Sequence, residues 1–206
     1  MDMHLNRVII SLLCLIATIT CYAQDIMRPD TCIDMAYYKS YSVIIRDTIR
    51  PSYCFYSTSS NLTYGTYKRN GMQFHGNTKH FNYAKSGYDK GHLVPAEDLT
   101  YSKEALESTF RWWNCVPQKA SFNRGIWRKE ELKIHSLEKK RNLDILVGAC
   151  NYKDGIPKYC YKVVFDHSTR KIISIFIYDQ ESNQIPVTNK FIDTIKKIYY
   201  DCKKRK

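Results

Sequence analysis

The chain of 206 residues holds no Cys-x-x-Cys and no His-Glu-x-x-His, and its cysteines are widely scattered, which argues against a zinc site. A glycine-rich phosphate loop is missing, as is the strand–helix alternation of a doubly wound fold. Residues 24–206 show no internal repeat, long linker, heptad pattern or helix-turn-helix pattern. The twelve-residue apolar run Val8–Ile19 is too short for a comfortable membrane span. Acidic residues are scarce, 20 against 32 Lys and Arg, so the net charge is +12. The length allows one core of ordinary size, or two small ones, and excludes a multi-domain machine.

What is present describes a folded, exported chain. Hydrophobic residues at 44% and aromatics at 14% are far too many for a disordered polymer. Arg7, the run Val8–Ile19 and Ala23 form the basic, apolar and small-residue regions of a secretory signal. The expected organisation is therefore a signal peptide at 1–23 and one domain at 24–206, secreted or periplasmic. Removing residues 1–23 leaves the charge at +12 and six cysteines, Cys32, Cys54, Cys115, Cys150, Cys160 and Cys202. In an oxidising compartment these predict up to three disulfides, with 15 compatible pairings. Cys150 and Cys160 flank a short turn, so a bridge between neighbouring strands is one geometry open to them. The positive excess attracts polyanions. The C-terminal run at 196–206, with six bases and one acid, reads as a solvated tail or helix end.

Strands are expected at Ser40–Ile49, ended by Arg50-Pro51, and again over SYCFYSTSS. Residues 61–91 lack a hydrophobic period and read as irregular, their rings either anchoring loops or forming an aromatic, basic surface for nucleic acid. Ser102 is placed to cap a helix over KEALESTF, and Ile126–Lys140 is rich in helix formers. LDILVGAC reads as a central strand, YCYKVVFD and KIISIFIYD as a hairpin, and Asn189–Tyr200 as a last helix with an apolar stripe. The fold class is α+β.

The densest polar cluster is YDKGHLVPAED, Tyr88 to Asp98, where Gly91 beside His92 allows a close backbone approach. Asn114, Gln118 and Asn123 follow in a stretch containing Trp112, Trp113 and Trp127. Amides among aromatics are costly unless satisfied, so these either cap backbone groups or bind something.

Asp89-Lys90-Gly91-His92, followed 22 residues after His92 by Asn114 in NCVPQ and then by FNRGIWRKEE, resembles the secreted DNA/RNA non-specific endonucleases. Lys90 stands where that family's typical motif has arginine, a change that keeps the charge and loses the guanidinium fork. The resemblance implies a ββα-metal core, built on a central antiparallel sheet with flanking helices and holding one Mg²⁺, with Mn²⁺ as a substitute. It implies His92 as general base, Asn123 as the direct metal ligand and Asn114 as the residue fixing the loop near His92. Lys90, Arg124 and Arg128 become phosphate contacts, with Arg124 favoured because it adjoins Asn123. Asp89 is expected to bind backbone donors of its own loop. On a continuous helix, Asn123 and Glu131 would be separated by about 12 Å and about 80° around the axis, so Glu131 is expected to reach the metal through water.

These residue types suit the reaction. Phosphodiester hydrolysis needs an activated water, neutralised phosphate charge and help for the departing oxygen. Histidine takes protons near neutral pH, and a hard cation accepts an amide oxygen. The expected activity is Mg²⁺-dependent cleavage of single- and double-stranded DNA and RNA with little sequence preference, leaving 5′ phosphates. The competing readings are a polyanion-binding module without activity and a phosphoesterase for smaller substrates. His92, Asn123 and Glu131 together argue against the first, and the +12 charge against the second.

Overall fold

A computed structural model describes residues 32–37, 41–46, 50–76 and 81–204, with side chains from residue 50 onward. The expected signal peptide lies outside the described residues. The described residues fall into two compact units, one ending at Pro186 and the other running from Val187 onward.

In the larger unit six strands form one antiparallel sheet. They are β1 (Cys32–Tyr37), β2 (Tyr41–Arg46), β3 (Arg50–Thr58), β6 (Leu143–Lys153), β7 (Ile156–Asp166) and β8 (Ile172–Asp179), in the order β1-β2-β3-β6-β7-β8. Arg50 and Pro51 begin β3 rather than ending the strand before it. Pro51 pairs with Ile45 where the β2–β3 register shifts, a place where the missing N–H disrupts no regular ladder. Asp154 and Gly155, both with positive φ, make the tight turn between β6 and β7. A second turn joins β7 to β8, where the Asp166 carboxylate accepts from the backbone N–H groups of Ser168 and Thr169 at 3.0 and 2.8 Å.

A separate ribbon pairs β4 (Tyr88–His92) with β5 (Cys115–Lys119), placing His92 opposite Cys115 and Asp89 opposite Gln118. Gly91 is required on this ribbon because a Cβ there would stand 2.0 Å from the Gln118 Oε1. Between the two strands runs α1 (Lys103–Ser108), whose Ser102 cap accepts from the Ala105 N–H at 3.0 Å. From β5 the chain passes without a loop into a helical turn at Ala120–Phe122, a π-helical turn at Asn123–Trp127 and then α2 (Arg128–Glu138). Ribbon and helix form the ββα unit. Gly125 has non-helical dihedrals, φ −96° and ψ −109°, so residues 123–131 are not the continuous helix from which their separation was reckoned.

One face of the sheet carries Cys54, Tyr56, Ile145, Val147, Cys160 and Val164, which share a core with Val116 of the ribbon, Phe122, Trp127 and Ile134. Lys162 has the parity of Cys160 and Val164, so a lysine lies among these apolar side chains, 0% exposed. In the smaller unit, α3 (Asn189–Lys204) buries Phe191, Ile195 and Tyr199, and Thr188 accepts the Phe191 N–H at 3.2 Å.

The expectation of disulfides is overturned for the described cysteines, since no two sulfurs there stand at bonding distance. Cys160 pairs with Ala149 and Cys150 with Tyr159, and because successive strand residues alternate faces, Cys150 and Cys160 lie on opposite sides of the sheet. Cys54 instead meets the Asn114 Oδ1 at 3.7 Å, Cys115 the Tyr83 hydroxyl at 3.3 Å, and Cys160 the Gln118 Nε2 at 3.6 Å.

Candidate active site

Strand β4, the π turn and α2 converge on a cavity of about 590 Å³. Seven residues singled out in the sequence line it: Asp89, Lys90 and His92 from the ribbon, Asn123 and Arg124 from the π turn, and Arg128 and Glu131 from α2. Glu97, Arg69 and Tyr83 line it as well.

His92 packs between Phe74 and Phe110, with ring centroids at 4.7 and 5.0 Å. Its Nε2 is buried with no hydrogen-bond partner. Burial, with lesser contributions from Arg69 and Lys162, pushes the imidazole pKa down to about 3. The ring is thus neutral near pH 7, and the burial that keeps it neutral also makes it a weaker base than an exposed imidazole.

Asn114 lies outside the cavity and is fully buried. Its amide accepts from the Val94 N–H at 2.8 Å and donates to the carbonyls of Val94 and Thr109, both at 2.9 Å. Its backbone carbonyl takes the Leu93 N–H at 2.9 Å. It therefore clamps the two residues that follow His92.

Asp89 binds side chains rather than its own loop. Arg124 grips it with Nε at 2.9 Å and Nη2 at 2.7 Å, and the Asn123 Nδ2 donates to it at 3.0 Å. The Arg124 hydrogen bonds, then that of Asn123, hold the carboxyl below its ordinary range against the opposing effect of burial. Arg124 thus spends part of its fork on a carboxylate. Arg128 stands 3.9 Å from Glu97. No carboxylate among the described residues lies within ion-pair distance of Arg69 or Lys90; the Lys90 Nζ sits 5.7 Å from the Trp112 ring centroid.

Glu131 accepts from the Lys162 Nζ at 2.8 Å. Burial raises its pKa and Lys162 opposes that rise.

Among the described residues one group of acidic and histidine side chains has metal-ligand proximity, and it does not include Asn123. Asp98, His135 and Glu138 bring one ligand atom each within 4.8 Å of one another. Glu138 is 0% exposed, and its two carboxylate oxygens and the His135 Nδ1 lack a well-formed hydrogen bond, although that nitrogen stands 2.5 Å from Glu138 Oε1. Tyr56 donates to Asp98 Oδ2 at 2.6 Å. Burial, then the Asp98 charge, pushes Glu138 up to about 10. The chain thus contains a cluster able to coordinate a divalent cation.

Sequence reasoning did not find Arg69, Lys162 or this cluster. Arg69 sits in an irregular stretch with no period to read. Lys162 left a signal, a charge inside the otherwise apolar YCYKVVF, and Glu138 left the weaker one of i, i+3 spacing from His135.

The family model described as DNA/RNA non-specific endonuclease matches residues 33–205, and the chain belongs to that family. Mitochondrial nuclease EXOG of Xenopus laevis is 32% identical over 88 residues, covering 40% of this chain and 25% of that protein. The mitochondrial nuclease of Saccharomyces cerevisiae is 39% identical over 69 residues, covering 32% and 21%. The matched region thus spans a quarter or less of these relatives. A chain in the crystal structure of an EndoG/EndoGI complex superposes with a TM-score of 0.61 at 19% identity, over 74% of this chain and 80% of that one, and shares the fold.

Proposed function

We propose that the protein is a Mg²⁺-dependent endonuclease that hydrolyses phosphodiesters of both DNA and RNA and leaves 5′ phosphates. The observation that carries this reading is the bare, buried Nε2 of neutral His92 in the cavity that Asn123 and Glu131 also line. His92 takes the proton of a water at Nε2, the water oxygen bonds to phosphorus, and the bond from phosphorus to the 3′ oxygen breaks. Arg69 and Lys90, with no carboxylate partner among the described residues, offset the phosphate charge, and Arg128 adds to them. These groups address phosphate rather than base or sugar, which fits tolerance of both nucleic acids and of sequence. Asn114 keeps the His92 segment in place.

The donor set in the cavity fits Mg²⁺. The Asn123 Nδ2 is committed to Asp89, which leaves Oδ1, a hard oxygen of the kind this ion prefers. Asn123 would hold the ion, with Glu131 orienting its water, and the ion would supply charge stabilisation to the phosphate and the departing oxygen.

A second reading places the cation at Asp98, His135 and Glu138, favoured by the buried Glu138 oxygens and His135 Nδ1, which lack a well-formed hydrogen bond. An imidazole with two carboxylates suits Zn²⁺ or Mn²⁺ better than Mg²⁺.

The test is cleavage of supercoiled plasmid and single-stranded RNA by the purified protein with Mg²⁺, with EDTA, and by H92A. Activity on both, abolished by EDTA and lost by about 10²- to 10⁴-fold in H92A, is expected. Nucleic-acid binding without cleavage would return the protein to the binding-module reading.

A further inference from the structure

Lys162 is a cation in the middle of the core. It is 0% exposed, lies between Tyr161 and Val163 on β7, and pairs across the sheet with Val147 and Phe176. A buried ammonium requires compensation. Among the described residues Lys162 has two partners, both from the helical segment that borders the cavity: the Glu131 Oε1 at 2.8 Å and the face of Trp127, whose ring centroid is 4.7 Å from Nζ. Trp127 and Glu131 are four residues apart, spanning the junction from the π turn into α2, and the one ammonium engages both. The Glu131 side chain, in contrast, is 22% exposed and lines the cavity.

We propose that Lys162 is a positioning residue of the catalytic centre, acting through Glu131. Its ammonium holds Oε1 from the core side, which fixes the carboxylate rotamer and leaves Oε2 as the oxygen free to orient water in the cavity. The assignment rests on the nuclease reading above. It also changes how a Glu131 substitution is read. Glu131→Ala removes the only carboxylate among the described residues within ion-pair distance of a fully buried cation, so its defect combines lost water orientation with an uncompensated charge in the core.

The experiment compares full-length wild type, K162M, E131Q and E131Q/K162M for plasmid cleavage across a Mg²⁺ titration, alongside thermal unfolding. Groups that orient ligating side chains are typically worth about 10- to 100-fold in activity or metal affinity. K162M is expected to lose that much in kcat and to need more Mg²⁺ for half-maximal rate, with KM for DNA within about twofold of wild type because Lys162 does not reach the surface. E131Q/K162M is expected to cleave at the rate of E131Q alone. Multiplied losses in the double variant, or wild-type kcat in K162M with only a lower Tm, would overturn the assignment. If K162M does not fold, the double variant, which leaves neither charge buried alone, carries the comparison. A rate equal to E131Q supports the coupling, and one about tenfold lower overturns it. A wild type without Mg²⁺-dependent cleavage overturns the nuclease reading and this assignment together. An active wild type beside an unimpaired K162M overturns this one alone.

Discussion

Asn123 donates its amide nitrogen to Asp89 at 3.0 Å, and this bond selects the amide oxygen as the atom left for a ligand. Asp89 is in turn held by the two-pronged grip of Arg124, so three side chains form one chain of orientation from the ribbon to the π turn. Asp89→Ala should free the Asn123 amide to rotate and release Arg124. The expected result is a half-saturating Mg²⁺ concentration about 10- to 100-fold higher, the usual cost of losing an orienting partner. The fold should survive, because Arg124 is exposed and is not left as a buried charge. Cleavage rate against Mg²⁺ concentration measures it, and an unchanged requirement would remove Asp89 from this role.

Burial places the His92 pKa at about 3, below the 6.5 of an unperturbed imidazole. The folded state therefore binds fewer protons than the unfolded chain between these values, and acidification through that window favours unfolding. Above pH 6.5 the residue contributes no slope; below it, stability falls by up to about 1.4 kcal/mol per pH unit. The wild type should thus lose Tm on acidification more steeply than H92A. Catalysis should show the same shift. The kcat/KM profile, which reports the free enzyme, should keep its activity through pH 6 rather than fall at the ordinary histidine value. An acid limb centred at 6.5 would show that the Nε2 is hydrated in solution.

The sequence exposed what was local. Ser102 was legible as a cap because capping depends on four consecutive residues, and the strands of β6, β7 and β8 were legible from their apolar runs. The site motif was legible because β4, β5 and the helical segment after them lie close in sequence. What stayed hidden depends on separation. Arg69 reaches the cavity from 23 residues before His92, and Lys162 meets Glu131 across 31 residues, so neither has a fixed spacing to read. The kink at Gly125 was missed because a continuous helix was assumed over residues 123–131, although Asn123 and Gly125 are weak helix formers, and the disulfide expectation failed because cysteine count carries no information about which face of a strand each thiol occupies.

Gly91 illustrates a requirement set by packing rather than by backbone dihedrals. Its missing side chain is where Gln118 lies, with Oε1, Cδ and Cγ all closer than 3.0 Å to an added Cβ. Gly91→Ala should lower stability by about 1–3 kcal/mol, the cost of overpacking a dense core. Gln118→Ala in the same chain should recover part of that loss by removing the obstacle. Thermal unfolding of the two single variants and the double variant measures the coupling; additive losses would mean that the clash is relieved elsewhere.

Two places in the chain compete for a cation, and they differ in what binding does to protons. At Asn123 a neutral amide oxygen is offered, so binding releases no proton from it. At Asp98, His135 and Glu138 the Glu138 carboxyl, pushed up to about 10, carries a proton at neutral pH that a cation must displace. If Mg²⁺ acts at Asn123, N123A should raise the Mg²⁺ requirement of cleavage while E138Q leaves it near that of wild type. The binding heat should then be independent of the ionisation enthalpy of the buffer. If the cluster holds the functional ion, E138Q should raise the requirement, and the heat should change with buffer by about one proton per ion. Calorimetric Mg²⁺ titration in two buffers, run beside plasmid cleavage by both variants, separates the outcomes. A requirement raised by E138Q and untouched by N123A would move the catalytic ion from the π turn to the far end of α2.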